Sequence, residues 1–219
     1  MKSIGNIKDQ SQILIIDAIR LSFEIEKTLY SKFWRSLRLL EKVEDNLPPR
    51  PSQVINSIQY VWEIIDTVNR IRGLIIYVKG LSHNSNEYQL FSKNTKSIED
   101  FRNFYQHLNT EIPKLSEPAN PIIGVISWVT KNQNKSKTIT YGSIISGNSF
   151  HSLAVDTWVN RFACNLEFSS DKLSIDLEYI HKNLQKFTRF FNKWLINNNY
   201  LLETEMIPSS GSFYLLKQQ

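Results

Sequence analysis

Residues 10–44 carry apolar side chains at a helical spacing that nothing interrupts until a run of prolines. Ile16, Ile19, Phe23, Tyr30, Phe33, Leu37 and Leu40 recur mostly at three- and four-residue steps. Glu24, Glu26, Lys27, Lys32, Arg35 and Arg38 fall between them and supply the expected wet side. The segment Leu47-Pro48-Pro49-Arg50-Pro51 ends the pattern, because proline lacks the amide hydrogen a helix needs and restricts its neighbour. A chain that begins with such a helix must bury its apolar stripe against other elements, and the next stretch offers one. Residues 53–78 place Val54, Ile58, Val61, Ile65, Val68 and Ile75 on a second stripe, with Ser52 as the expected N-cap. Gly73 reads as a point where another helix packs closely.

Two more helices follow from the same periodicity. Over 97–115 the residues Phe101, Tyr105, Leu108 and Ile112 make a third stripe, closed by Pro113, Pro118 and Pro121. Over 175–197 the inward positions are Leu177, Ile180, Leu184, Phe187, Phe191, Trp194 and Leu195, with Ser174 as the expected cap. Residues 80–95 read as a polar connection with a short helical piece near 88–91. Between the third and fourth helices the period changes to two. Residues 121–130, 138–146 and 161–168 are strand candidates, with 131–137 as a hairpin loop. A further short strand is expected at 212–216. The reading is one mainly α domain over 1–219: a four-helix bundle with a small β-rich insertion at about 121–170.

Composition narrows the chemistry. With 41% hydrophobic residues the chain can fill a core, and a net charge of +5 favours an acidic partner such as nucleic acid without proving one. Cys164 is the one cysteine, so no internal disulfide forms, which fits a reducing, cytoplasmic setting. The first residues lack the apolar run of a signal peptide, and apolar runs such as 13–16 are too short to cross a bilayer, so no membrane association is expected. There is no G-x-x-x-x-G-K-[ST], no G-x-G-x-x-G, no G-x-S-x-G and no H-E-x-x-H. His83, His151 and His181 stand alone, and no metal site or cofactor is expected. Trp62, Trp128, Trp158 and Trp194 read as core or interface residues.

The remaining feature is Arg102-Asn103 followed by His107. An arginine can grip a phosphate through paired N–H donors, and a histidine can move a proton near neutral pH. Asn103 and His107 lie one turn apart and share a helix face. Gln106 lies beside them. On the second helix Asp66 and Arg70, four apart, either pair with each other or turn to this site, Arg70 toward a phosphate and Asp66 toward an active-site group. This R-N-x-x-x-H motif, on the third of four helices, resembles the signature of the HEPN superfamily. The wider phrases DFRNFYQHLNTEI (100–112) and PIIGVISWV (121–129) are similar to bacterial HEPN-like proteins. The helical resemblance covers half to two-thirds of the chain.

The resemblance implies a homodimeric ribonuclease of a toxin or defence system that cuts RNA without a metal. Arg102, Asn103 and His107 would be its catalytic residues, and Asp66, Arg70 and Gln106 would contact substrate. An antitoxin or a defence-system protein is the implied further partner. In HEPN toxins paired with nucleotidyltransferase antitoxins, a tyrosine two positions past the histidine is the modification target. This chain has Asn109 there, so that regulation is not implied. The other reading is a catalytically silent HEPN-like module that binds RNA, a nucleotide or a protein.

Overall fold

The computed structural model describes residues 9–41, 49–114, 121–132, 135–142 and 166–200, with 131–132 and 135–142 described by their backbone. The first two helices form the longest packed pair: α1, Gln10–Glu41, lies against α2, Pro51–Ile75. All the aliphatic and phenylalanine positions of the two sequence stripes are buried, while Tyr30 is partly so. The α2 N-cap is Arg50 rather than Ser52, because Pro51 takes the first helical position, where its missing amide hydrogen is harmless. The Gln53 side chain bonds back to the Arg50 amide at 3.0 Å.

The connection after α2 holds a full helix, α3, Asn86–Asn94, capped by Ser85, whose hydroxyl accepts from the Tyr88 amide at 3.4 Å. Phe91 is its buried anchor and stacks on Phe187 at 4.2 Å between ring centres. The third sequence helix is divided. It runs as α4, Lys96–Gln106, then a short α5, Leu108–Glu111, and a 3-10 turn, Ile112–Lys114. Ile98 and Phe101 are buried on α4. The stripe expected to continue through Tyr105, Leu108 and Ile112 does not: Tyr105, still on α4, is exposed, and past the break at His107 the chain is out of phase, leaving Leu108 half-buried and Ile112 exposed.

The last helix, α6, Leu177–Asn197, starts two residues later than its sequence pattern. Asp176 caps it, accepting from the Tyr179 amide at 2.8 Å. Ser174 belongs instead to a strand absent from the sequence reading, β4, Leu173–Asp176. With β1, Val125–Asn132, β2, Lys135–Gly142, and β3, Leu166–Ser170, it forms an antiparallel sheet of order β2-β1-β3-β4. The hairpin ladder extends to the pair Asn132 and Lys135, so the loop is much shorter than 131–137. Ile126, Trp128, Leu166, Phe168 and Ile175 fall on one face and join the helical core. Val125, Ser127, Glu167, Ser169 and Ser174 take the other face. Glu167, itself buried, accepts from Ser169 Oγ at 2.9 Å and Ser174 Oγ at 2.5 Å. The expected strand at 212–216, His151, Trp158, Cys164 and residues 161–165 of the third strand lie outside the described residues.

Two glycines test this packing in opposite directions. Gly124 has φ +122°, and a Cβ built there falls 2.3 Å from the Phe168 ring. Overpacking of this kind costs about 1–3 kcal/mol, so Gly124→Ala should lower the urea midpoint clearly. Gly73 was expected to mark close helix packing, but its Cβ position is open space. Gly73→Ala should therefore stabilise by about 0.4–1 kcal/mol through reduced unfolded-state entropy and better helix propensity. The same denaturation series checks both signs.

Candidate active site

The motif occupies the end of α4, and α4 is held in place before its chemistry begins. Arg72 on α2 reaches the α3–α4 junction, donating from Nη1 to the Ser92 carbonyl at 2.8 Å and to the buried Thr95 hydroxyl at 2.7 Å. Its other terminal nitrogen meets Glu99 at 3.3 Å. This places Phe101 in the core and leaves the neighbouring positions facing outward.

Asp66 and Arg102 meet across the α2–α4 contact. The Arg102 Nε–H donates to Asp66 Oδ1 at 3.0 Å, with the arginine 32% and the aspartate 58% exposed. The expected intrahelical partner of Asp66, Arg70, is exposed and makes no ion pair among the described residues. Asp66 thus selects the motif arginine on another helix over the one a turn away on its own. A pair this exposed contributes at most about 1 kcal/mol to stability. Its effect is geometric: Nε is fixed, and the terminal nitrogens make no bond to a described residue. A guanidinium held by one edge presents the other to an anion.

His107 is the C-cap of α4 and the joint with α5. Its amide shares a bond between the Asn103 and Phe104 carbonyls, both at 3.2 Å. Its own carbonyl accepts from the amides of Thr110 and Glu111 at 2.9 Å and from the Thr110 hydroxyl at 2.9 Å. The backbone is thereby pinned while the imidazole is exposed and makes no hydrogen bond among the described residues. Asn103 and Gln106 are likewise exposed. So the structure joins Arg102 to Asp66 directly. It leaves Asn103, Gln106, His107 and Arg70 at the surface of the same helix pair, without mutual bonds.

Beside the motif lies an aromatic arrangement that sequence reasoning placed in the core. Tyr105, 43% exposed, stacks on Trp62 with ring centres 4.2 Å apart and planes inclined by 25°. Trp62 is buried and fixed by its indole N–H, which donates to the Ile123 carbonyl at 2.9 Å. Phe168 meets its edge at 5.3 Å.

A second polar group was also missed. Glu26, assigned to the wet side of α1, is 2% exposed, and its carboxylate accepts from His181 Nδ1 at 2.8 Å. Gln185 Nε2 lies 2.8 Å from His181 Nε2, and Tyr30 stacks on the ring at 3.6 Å. Burial pushes the Tyr30 hydroxyl up to about 12. A cavity of about 240 Å³ opens beside Glu26 and Gln185. With both ring nitrogens engaged, the group works as a clamp between α1 and α6. Glu26→Ala should destabilise by about 1–3 kcal/mol, the desolvation penalty of an abandoned buried donor, as thermal or urea melts would show. Its only sequence signal was a carboxylate one turn from the stripe residues Phe23 and Tyr30.

Among the described residues no group of three or more His, Cys, Asp or Glu is placed to hold a metal ion. None of their helices is long and apolar enough to cross a membrane. The chain matches no family model. No solved structure matches it. Over 56 residues it is 38% identical to solute carrier family 15 member 1 of the dog, Canis lupus familiaris. That stretch is 26% of this chain and spans 8% of the carrier's length. So short a likeness shows no family and carries no function to the site.

Proposed function

We propose that this chain is a metal-independent endoribonuclease of the HEPN type. The observation that supports it most is the Asp66–Arg102 pair, which holds the motif arginine by Nε five residues before an exposed histidine on a pinned backbone. RNA carries its own nucleophile. In the proposed step His107 takes the proton of a 2′-OH, the 2′ oxygen forms a bond to phosphorus, and the 5′ oxygen leaves with a proton from an acid. The products are a 2′,3′-cyclic phosphate and a 5′-hydroxyl. Arg102 stabilises the extra charge on the phosphorane-like transition state through its terminal N–H groups. Asn103 and Gln106 fix the phosphate or the ribose, and Arg70 takes a neighbouring phosphate. In a two-fold dimer the second protomer's His107 supplies the acid. A toxin or defence setting in the cytoplasm, with a protein antitoxin or regulator, is the context the resemblance implies.

The test is single-stranded RNA in excess EDTA, with the products analysed by mass. Cleavage leaving 2′,3′-cyclic phosphate ends supports the reading. A magnesium requirement, or equal cutting of the 2′-deoxy oligomer, overturns it. Asp66→Ala should leave stability within about 1 kcal/mol yet slow cleavage by about ten- to a hundredfold, since a misplaced group loses much of its rate effect. Light scattering should give a dimer, with an interface on the order of 1,600 Å² in total. The alternative, a catalytically silent module binding RNA, a nucleotide or a protein, draws on one observation: His107 has no orienting partner among the described residues of the single chain. Binding without cleavage would select it.

A further inference from the structure

We infer that Tyr105, supported by Trp62, is a stacking platform for a base of single-stranded nucleic acid next to the phosphate held by Arg102. The inference rests on the functional reading above for the class of ligand, but its own basis is the geometry of the two rings. An exposed tyrosine on a helix ordinarily has free rotamers and loses entropy when it binds. Here the ring is already ordered: one face lies on Trp62 at 4.2 Å. Trp62 in turn cannot yield, being hydrogen-bonded to the Ile123 carbonyl and wedged against Phe168 and Phe101. Among the described residues Tyr105 meets no other ring, and its hydroxyl makes no hydrogen bond. With 43% of the residue exposed, Tyr105 keeps surface to offer a ligand.

Position matters as much as order. Tyr105 is three residues past Arg102 on α4 and two before His107, the C-cap of that helix. Residues three apart are neighbours on a helix surface, so a base on Tyr105 brings its own backbone to the guanidinium edge that Asp66 leaves open. Unpaired bases are recognised by stacking on aromatic rings, and every base has a π face. The platform therefore favours single strands over duplex, in which the bases are already stacked on one another. It gives affinity with little sequence preference. It also acts equally on ribose and deoxyribose strands, which separates it from the chemistry that needs a 2′-OH.

That independence sets the experiment. The probe is a short single-stranded DNA carrying 2-aminopurine, which the proposed nuclease cannot cut. Its anisotropy and fluorescence are followed as full-length protein is added, and the ribose version is run in parallel. The expected result is quenching of the 2-aminopurine on binding. Tyr105→Leu should then weaken Kd by about 5- to 150-fold, the range for loss of one stacked base, while Tyr105→Phe binds like the parent. An oligomer with an abasic site should weaken binding to the unaltered protein by a similar factor, which needs no variant to fold. Tight binding by Tyr105→Leu, or an abasic oligomer bound as well as the intact one, overturns the platform and leaves the nuclease reading standing. Tyr105-dependent binding with no RNA cleavage in EDTA keeps the platform and removes the nuclease. No binding of either strand overturns the platform.

Discussion

Replacing His107 with alanine should slow RNA cleavage by about a hundredfold or more, the usual scale of general acid–base catalysis. The protein should remain folded. The imidazole makes no hydrogen bond among the described residues, and the contacts that hold the α4–α5 joint use the His107 backbone, which alanine retains. A loss of activity would therefore report on chemistry and not on folding, and unchanged circular dichroism and melting temperature would check this. His107→Ala should bind a deoxy oligomer as well as the parent does, since base stacking and phosphate grip lie on other residues. Full activity in His107→Ala would remove the histidine from the mechanism. If two protomers supply base and acid, mixing the variant with parent chains should leave mixed dimers impaired as well.

The second large effect is expected at Arg102. Arg102→Ala should lower cleavage by about 10²–10³-fold, as for loss of a donor to transition-state charge. Arg102→Lys should rescue little. A lysine carries one compact ammonium, which cannot donate to Asp66 and present a planar edge to phosphate together. The fold should again persist, because the only bonded partner of the side chain among the described residues is the exposed Asp66. The comparison with Asp66→Ala separates the two roles. Loss of Arg102 removes the group that meets the phosphate, whereas loss of Asp66 frees that group to wander, so Asp66→Ala should be the milder. An Asp66→Ala protein as impaired as Arg102→Ala would instead place the carboxylate in direct contact with substrate.

The stripes of α1, α2 and α6 were legible because each is long, and an apolar residue out of phase by one position would show. Proline marked the start of α2, and the period-two segments located the sheet hairpin. The motif residues were legible as chemistry, and the candidate partners named on α2 included the acceptor, Asp66, that meets Arg102. Which partner Asp66 takes was not legible. Arg70 is one helical turn away on the same helix, and choosing Arg102 depends on how α4 crosses α2, a matter of core packing around Phe101 and Ile98. The break at His107 had no glycine or proline to announce it. Without that signal the pattern was carried on through Leu108 and Ile112, neither of which is buried. Strand β4 was hidden because four residues are too few to show a period, and its serine and aspartate also suit a helix cap.

The sequence by itself determined the mainly helical chain, its principal elements and a motif of arginine, amide and histidine. Those depend on local spacing and residue type, which a linear string contains. Tertiary structure alone decided that Arg102 is tied by its Nε to another helix, and that Tyr105 lies open upon Trp62. It also decided that Glu26, in a stretch of polar residues, is buried on His181, 155 positions away. Each is a contact between residues distant along the chain. Its free energy depends on desolvation and on the angle at which helices cross, and neither has a signature within a few residues of sequence.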